Sequence, residues 1–230
     1  MNGEFEQIIQ WYPGHMAAAM RRMGEYVKLA DVVIEVADAR VPASGFNPML
    51  DEFAGKRARL KILSREDLAD PAETAPWLRD LGPQALSVNA RTQGAFVKVK
   101  ERLGEMLAEG HRTQRAMVVG IPNSGKSSVI NGLVGRSVAR TEDRAGVTRQ
   151  LQWFKVGACL ELMDSPGILV PRISSQEAQW KLALVGAVPR DHYDPEDVVA
   201  RFHRWLTEKT GGRTMVPDLP AFAQARGFVR

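Results

Sequence analysis

The feature that most constrains this chain is residues 120–127, which read G-I-P-N-S-G-K-S and match the pattern G-x-x-x-x-G-K-[ST]. They follow an apolar segment, residues 116–119, that predicts a buried strand, and they open a segment that predicts a helix. A loop of this kind curls its backbone N–H groups round an anion, and the helix adds its positive end. From average composition, a chance match in a chain of this length occurs on the order of 1% of the time. The motif therefore predicts a phosphate-binding loop, called the P-loop below.

The side chains of this loop have distinct expected roles. Lys126 would neutralise β- and γ-phosphate oxygens, and the Ser127 hydroxyl would ligate Mg²⁺. Gly125 would let the backbone approach the phosphates closely. The other candidate phosphate-binding residues here are Asn123, Ser124 and Ser128.

Two segments after the P-loop fit the mobile loops that respond to a γ-phosphate. Residues 164–167 read D-S-P-G and end an apolar strand. Asp164 would reach Mg²⁺ through water, and the Gly167 N–H would meet the γ-phosphate. Thr148 would close over the metal and the γ-phosphate. Taken alone, residues 164–167 could equally be an ordinary Pro-Gly turn, and Thr148 could be an ordinary threonine in a loop. Their order after a P-loop favours the nucleotide interpretation.

A segment that could recognise guanine lies before the P-loop. The usual motif, N-K-x-D, has no counterpart after Gly167, but a predicted strand runs into residues 64–67, which read S-R-E-D. A later strand ends in a loop that would support the base. The candidate guanine-binding residues are Ser64, Arg65, Asp67, Ser87, Val88 and Asn89. This order of motifs predicts a circularly permuted nucleotide-binding domain.

Strand and helix patterns alternate along the chain. Strands are predicted at residues 31–37, 59–63, 85–88, 116–119, 150–156 and 159–163. Helices are predicted at residues 14–29, 76–81, 94–109, from 125 onward and 196–209. The pattern predicts an α/β P-loop fold with a mostly parallel sheet and helices on both faces. Expected core residues include Met16, Met20, Met23, Val27 and the single cysteine, Cys159.

Charge and composition limit the class of protein only broadly. The net charge of +4 permits a polyanionic partner such as RNA without demanding one. No apolar stretch is long enough to span a membrane. The first ten residues contain Glu4 and Glu6 and no Lys or Arg, which argues against a signal or transit peptide. We therefore expect a cytoplasmic protein.

Taken together, the motifs resemble those of the ribosome biogenesis GTPase A (RbgA/YlqF) family of circularly permuted GTPases. The similar segments are residues 11–16 (W-Y-P-G-H-M), 38–40 (D-A-R), 47–48 (N-P), 120–123 (G-I-P-N) and 164–169 (D-S-P-G-I-L). The resemblance implies a cytosolic factor that hydrolyses GTP during late assembly of the large ribosomal subunit. Its implied partners are GTP or GDP, the large subunit and its RNA, with neither membrane nor DNA.

The resemblance also implies a division of the chain. Residues 1–172 would form the permuted GTPase domain, amino-terminal helix included, and residues 173–230 a helical carboxyl-terminal region shorter than in the family. Family members usually continue beyond residues 227–230 into basic helical sequence that contacts ribosomal RNA. Basic residues that flank the site are Arg136, Arg140, Arg144, Arg149 and Lys155. They would contact RNA or form a solvated face.

The base motif departs from the family pattern at two positions. Ser64 replaces the Asn that contacts the base and ties the loops together, and Arg65 replaces the Lys that stacks over the ring. Loss of a buried hydrogen bond costs about 1–3 kcal/mol, or about 5- to 150-fold in affinity. Because Asp67 is kept, we expect a guanine preference that survives but is weakened.

The residue that would orient the attacking water is also changed. Many GTPases place a Gln after D-x-x-G, where this chain has Ile168, so slow basal hydrolysis is expected. The resemblance nominates His15 as the catalytic replacement; the competing interpretation is a structural hydrogen bond at the helix start. It also nominates Asn123 as a ligand for K⁺, against the alternative of a turn residue.

Two other functions stay open at this point. Ser64 and Arg65 make a P-loop ATPase conceivable. Ile168 makes conceivable a degenerate P-loop NTPase that uses nucleotide as a binding switch with weak guanine specificity.

We predict that guanine nucleotides bind more tightly than adenine nucleotides, because Asp67 would accept hydrogen bonds from guanine N1 and N2. Asp67→Ala should remove that preference. Lys126→Ala should abolish tight binding of either nucleotide, since it removes the charge opposite the phosphates. Calorimetric titration with GDP and ADP measures both effects. Equal affinities of the unaltered protein for GDP and ADP would contradict the guanine assignment.

Overall fold

The computed structural model describes residues 9, 11–12, 14–107, 113–139, 152–170, 172–173, 175–211, 221 and 224. Its strands are β1 (Val32–Asp38), β2 (Ala58–Ser64), β3 (Ala85–Val88), β4 (Gln114–Val119), β5 (Gln152–Val156) and β6 (Leu160–Asp164). Its helices are α1 (Gly14–Val27), α2 (Pro42–Gly45), α3 (Met49–Ala54), α4 (Pro71–Leu81), α5 (Val97–Met106), α6 (Lys126–Val134), α7 (Gln176–Leu184) and α8 (Pro195–Lys209). Two 3₁₀ turns span Glu66–Leu68 and Arg190–His192.

Within the described residues, the six strands form one sheet in the order β3-β2-β1-β4-β6-β5. The strands pair in parallel, except that β5 runs antiparallel to β6. The predicted mostly parallel sheet is confirmed. Because β1 lies between β2 and β4, the carboxyl ends of these three strands meet at one edge of the sheet.

The helices differ from the prediction in the first half of the chain. The short helices α2 and α3 were not predicted. Helix α4 begins at Pro71, five positions before the predicted start at residue 76, because Asp70 caps it by accepting a hydrogen bond from Ala72 N at 2.8 Å. A proline at the first helical position is well tolerated, since its missing N–H would have no helical partner there. Pro76 therefore lies inside the helix.

Helices cover both faces of the sheet, as predicted. On one face, α5 and α6 pack against apolar side chains of β1, β2, β4 and β6. On the other face, α1 and α3 pack against residues of β1, β4 and β6, including Val33, Met117 and Met163. The predicted methionine stripe is confirmed as core: Met16, Met20, Met23 and Val27 are all buried. The prediction for Cys159 was wrong, since this residue is exposed at the turn between β5 and β6.

A third apolar cluster joins the carboxyl-terminal helices to the candidate site. Trp180 and Leu182 of α7 and Val198 of α8 share this cluster with Ile121 of the P-loop and Leu169. Helices α7 and α8 therefore rest directly on loops that follow β4 and β6. Among the described residues, no helix has the length and apolar character needed to cross a bilayer.

Candidate nucleotide-binding site

The carboxyl ends of the parallel strands gather the predicted motifs at one edge of the sheet. The base motif follows β2, the supporting loop follows β3, the P-loop follows β4, and the D-S-P-G segment follows β6. Crevices at this edge of an open α/β sheet are where such folds bind ligands. The topology therefore brings together segments that are far apart in sequence.

The P-loop packs tightly against its neighbours. A Cβ on Gly120 would lie 2.2 Å from the Val36 carbonyl oxygen, and a Cβ on Gly125 would lie 2.9 Å from Ser64 Oγ. Both glycines have positive φ, which side chains disfavour. Asn123 also has positive φ, and its Nδ2 donates to the Gly186 carbonyl at 2.9 Å. The loop thus has the close backbone approach that a phosphate cradle needs.

Lys126 and the serines after it begin helix α6 under the loop. Lys126 is buried, and its Nζ donates to the Ile121 carbonyl at 2.8 Å and to the Gly120 carbonyl at 3.3 Å. Burial lowers the pKa of Lys126 to about 8, although the negative charge of Asp164 opposes the shift. Ser127, in the first turn of α6, is half-buried. The ammonium and hydroxyl groups thus lie at the helix start, where a phosphate is favoured.

The D-S-P-G segment is fastened to the P-loop and to the strand before it. Asp164 ends β6 and is buried, and Ser165 Oγ donates to the Val118 carbonyl at 2.7 Å. A Cβ on Gly167 would lie 2.6 Å from Pro122 Cα, so only a glycine lets the two loops approach this closely. Asp164 and Gly167 therefore lie beside the P-loop, as the predicted site requires.

Ile168 contributes its backbone to the site and its side chain to the core. Its N–H donates to the Gly120 carbonyl at 3.2 Å, and its carbonyl accepts a hydrogen bond from Asn47 Nδ2 at 3.3 Å. The Ile168 side chain is buried with Val119 and Met163. Sequence reasoning noted Asn47 only as part of a family signature and did not connect it to this segment. Because the contact joins residues 121 positions apart, no local pattern could have revealed it.

The two departures in the base motif each contact the P-loop. Ser64 Oγ donates to the Ser124 carbonyl at 2.6 Å, so this short side chain links the base loop to the P-loop. Arg65 has a φ of 55°, and its Nη1 donates to the Asn123 carbonyl at 2.6 Å. The base loop and the phosphate loop are therefore joined by two hydrogen bonds.

A cavity of 620 Å³ lies between the base loop, the supporting loop and helix α6. This volume is in the range typical of small-molecule sites. The predicted residues that line it are Ser64, Arg65, Asp67, Val88, Asn89, Gly125 and Ser128. Lining residues that sequence reasoning missed include Leu68, Thr92, Phe96, Asn131 and Gly132. They lie in the 3₁₀ turn after β2, in the segment after β3 and on α6, and they carry no motif of their own. Arg136, predicted only as a basic residue that flanks the site, also lines the cavity.

Ser87 has a different role from the other predicted base residues. It is not among the described residues that line the cavity, and its Oγ donates to Glu66 Oε1 at 2.7 Å. Asp67 faces the cavity at the other end of the base loop, with Arg91 Nη1 at 4.0 Å from its Oδ2. Ser87 therefore stabilises the base loop through its hydrogen bond to Glu66.

Some predicted residues lie outside the described part of the chain. Thr148 is one, and so are the basic residues Arg140, Arg144 and Arg149. For His15, the structure describes the backbone, which lies in the first turn of α1, and not the side chain.

The order of loops around the sheet defines a class of protein. A base loop after β2 and a P-loop after β4, with a D-x-P-G segment after β6, is the arrangement of a circularly permuted P-loop GTPase. A family model described as 50S ribosome-binding GTPase matches residues 115–207. Ribosome biogenesis GTPase A of Bacillus cereus is 43% identical over 212 residues, covering 86% of this chain and 72% of that protein. The chain belongs to the ribosome biogenesis GTPase A family.

Two further comparisons agree with this assignment. Ribosome biogenesis GTPase A of Thermotoga maritima is 30% identical over 225 residues, covering 96% of this chain and 83% of that protein. The crystal structure of GNP-bound YlqF from T. maritima shares the fold, with a TM-score of 0.68 at 24% identity over 93% of this chain and 85% of that one. The predicted permuted P-loop fold is confirmed.

We predict that Gly167→Ala weakens binding of a non-hydrolysable GTP analogue more than binding of GDP. The added Cβ would collide with Pro122 and push the Gly167 N–H away from the expected γ-phosphate position. Overpacking costs about 1–3 kcal/mol, equivalent to about 5- to 150-fold in affinity. Calorimetry with both nucleotides measures the difference. Gly104→Ala in α5, where no atom lies within 4 Å of the new Cβ, is the matched control; equal losses for both nucleotides would contradict the prediction.

Proposed function

We propose that this protein hydrolyses GTP to GDP and phosphate and acts in late assembly of the large ribosomal subunit. The observation that carries the proposal is the convergence of the base loop, P-loop and D-S-P-G segment at one sheet edge, in the permuted order. Family membership supports the same conclusion, since the relative from B. cereus is named for ribosome biogenesis. The alternative, a degenerate P-loop NTPase that uses nucleotide as a binding switch with weak guanine specificity, is not favoured.

The phosphate site would hold the nucleotide together with Mg²⁺. The Ser127 hydroxyl and the Asp164 carboxylate are oxygen donors of the kind this cation prefers, and both lie beside the P-loop. We assign Ser127 as a direct ligand and Asp164 as a ligand through water, with Thr148 completing the set. When bound, the cation neutralises charge on the β- and γ-phosphates. Lys126 adds a second positive charge to these oxygens, and the N–H of Gly167 contacts the γ-phosphate.

Guanine would bind in the 620 Å³ cavity. Asp67 faces this cavity and would accept hydrogen bonds from guanine N1 and N2. Adenine N1 has no hydrogen to donate to a carboxylate, so adenine could not make the same contact. Arg65 and Val88 line the space in which the ring would lie. Because Ser64 and Arg65 both contact the P-loop, the base and the phosphates would bind to one connected surface.

In the chemical step, water attacks the γ-phosphorus and the bond to the β–γ bridging oxygen breaks. The Ile168 side chain is buried in the core, so it does not reach that water, and basal turnover should be slow. We propose that His15, at the start of α1, orients the water once the protein is bound to the large subunit. Imidazole suits this role because it donates or accepts a proton near neutral pH.

The ribosomal partner would be recognised partly through RNA. The net charge of +4 permits a polyanionic partner, and binding to such a partner weakens with salt because fewer counterions are released at high salt. We propose a permuted GTPase domain at residues 1–172 and a helical region at 173–230, whose described helices α7 and α8 contact the loops that follow β4 and β6. A cytoplasmic location follows from this partner, and no DNA or membrane partner is proposed.

The proposed function predicts that purified large subunits accelerate GTP turnover and bind the protein more tightly with a GTP analogue than with GDP. Co-sedimentation at several salt concentrations and a phosphate-release assay measure the two effects. Lys126→Ala is the control, since it should lose nucleotide binding and therefore both responses. Two results would rule out the ribosomal role and leave the GTPase assignment intact. One is an affinity for the large subunit that does not change with salt concentration, and the other is no association with it in any nucleotide state.

We predict that His15→Ala lowers subunit-stimulated turnover by about 10²- to 10⁴-fold, the usual contribution of a positioned acid–base group. Nucleotide affinity should stay nearly unchanged, because His15 lies outside the phosphate and base motifs. A residue that only supports the helix start would instead lower the melting temperature and keep the stimulated rate per folded molecule. Both quantities should be measured on one preparation.

We propose K⁺ as a second cation, held in part by Asn123. The Asn123 Nδ2 donates to the Gly186 carbonyl, so Oδ1 is the atom of this side chain that would bind a cation. GTP turnover should then be higher in potassium than in sodium at matched ionic strength. Asn123→Ala should remove the difference, and identical rates in the two salts would refute the assignment.

A further inference from the structure

The D-A-R segment after β1 places a buried carboxylate between the base loop and the P-loop. Asp38 is fully buried at the end of β1, directly opposite Ser64 of β2 in the parallel register. Its Oδ1 accepts hydrogen bonds from Arg40 N at 3.0 Å and Arg40 Nε at 2.9 Å, and its Oδ2 accepts from Arg40 Nη2 at 2.7 Å.

The same carboxylate holds Arg65 of the base motif. Arg65 Nη1 donates to Asp38 Oδ2 at 2.6 Å and to the Asn123 carbonyl of the P-loop at 2.6 Å. One nitrogen therefore bridges the end of β1 and the phosphate loop. Arg65 also lines the 620 Å³ cavity, so anchoring its guanidinium group fixes part of the wall of the base pocket.

The charges in this cluster favour the observed arrangement. Burial disfavours the Asp38 carboxylate, but hydrogen bonds and charge from Arg40, with a further hydrogen bond from Arg65, outweigh it and lower the pKa of Asp38. An ionised Asp38 thus faces two guanidinium groups. Charge-assisted hydrogen bonds of this kind are short and about twice as strong as neutral ones. Without the carboxylate, Arg65 would keep only one acceptor, a carbonyl oxygen.

The backbone conformation of Arg65 also depends on the contacts that its side chain makes. Arg65 has a φ of 55°, a left-handed conformation that residues with a side chain disfavour. Such a conformation persists only where surrounding contacts hold it. Among the described residues, the Arg65 side chain is held by Asp38 and Asn123, and its carbonyl accepts a hydrogen bond from Leu68 N at 2.9 Å. Asp67, two residues later, depends on the same turn for its position at the cavity.

We propose that Asp38 is a specificity-determining positioning residue, which holds Arg65 against the P-loop and so shapes the pocket for the guanine base of the nucleotide. The inference rests on the proposed guanine specificity. Asp38 itself contacts neither base nor phosphate and acts through Arg65. The contact between Asp38 and Arg65 explains how a chain with S-R-E-D in place of N-K-x-D builds an ordered base loop.

The test compares Asp38→Asn with Glu35→Gln. Glu35 is a buried carboxylate on the same strand that pairs with Arg59 at 3.0 Å and makes no described contact with the base loop, which makes it the matched control. Asp38→Asn should weaken GDP binding by about 10- to 100-fold and ADP binding much less, so the ratio of the two affinities falls. Glu35→Gln should lower the melting temperature and leave that ratio unchanged. Calorimetry and thermal melts on the same samples give both readouts.

Arg65→Gln tests the contact from its other end and leaves the Asp38–Arg40 pair intact. It should lower the GDP-to-ADP ratio as Asp38→Asn does, and the double variant should be no worse than Arg65→Gln alone, since both changes remove one interaction. If Asp38→Asn does not fold, Arg65→Gln alone decides: an unchanged ratio overturns the proposal.

Two further results would overturn it. One is an unchanged GDP-to-ADP ratio in folded Asp38→Asn, which means equal losses for both nucleotides. The other is additive effects in the double variant. A ratio near one in the unaltered protein would instead refute guanine specificity itself, and this inference with it.

Discussion

The parallel pairing of β1 with both β2 and β4 is the constraint on which the site depends. Backbone hydrogen bonds fix the register, which sets Asp38 beside Ser64 on one side and Glu35 beside Val119 on the other. The loops that leave these strands must then meet above the same edge of the sheet. This requirement does not depend on the order in which the chain connects the strands. A chain in which the base loop precedes the P-loop can therefore build the same site as one in which it follows.

Tight contacts between the loops complete what the strands begin. Gly120 lies against the backbone of β1, Gly125 against Ser64, and Gly167 against Pro122. Each contact allows no Cβ, so each joins two segments at a distance that only glycine permits. Buried hydrogen bonds from Ser64 and Ser165 to P-loop and strand carbonyls add direction to this packing. The loops therefore form one connected surface.

Sequence reasoning succeeded where a motif is local and failed where a contact is distant. The P-loop and the strands around it follow from spacing and apolar pattern within a few residues. The four-residue helix α2 and the six-residue helix α3 are too short to show a helical period. Cys159 lies in an apolar stretch, but the turn at Gly157 carries it to the tip of a hairpin. The bond between Asn47 and Ile168, and the one between Arg65 and Asp38, exist only in the folded chain.

The bond from Asn123 to Gly186 has a thermodynamic consequence. It joins the phosphate loop to the turn that follows α7, and Ile121 shares an apolar cluster with the same helices. A ligand that shifts this turn must change the free energy of nucleotide binding, and nucleotide must change the affinity for that ligand by the same factor. A macromolecule docked on α7 and α8 and a nucleotide bound at the P-loop would thus change each other's affinity through the Asn123 amide and the packing of Ile121.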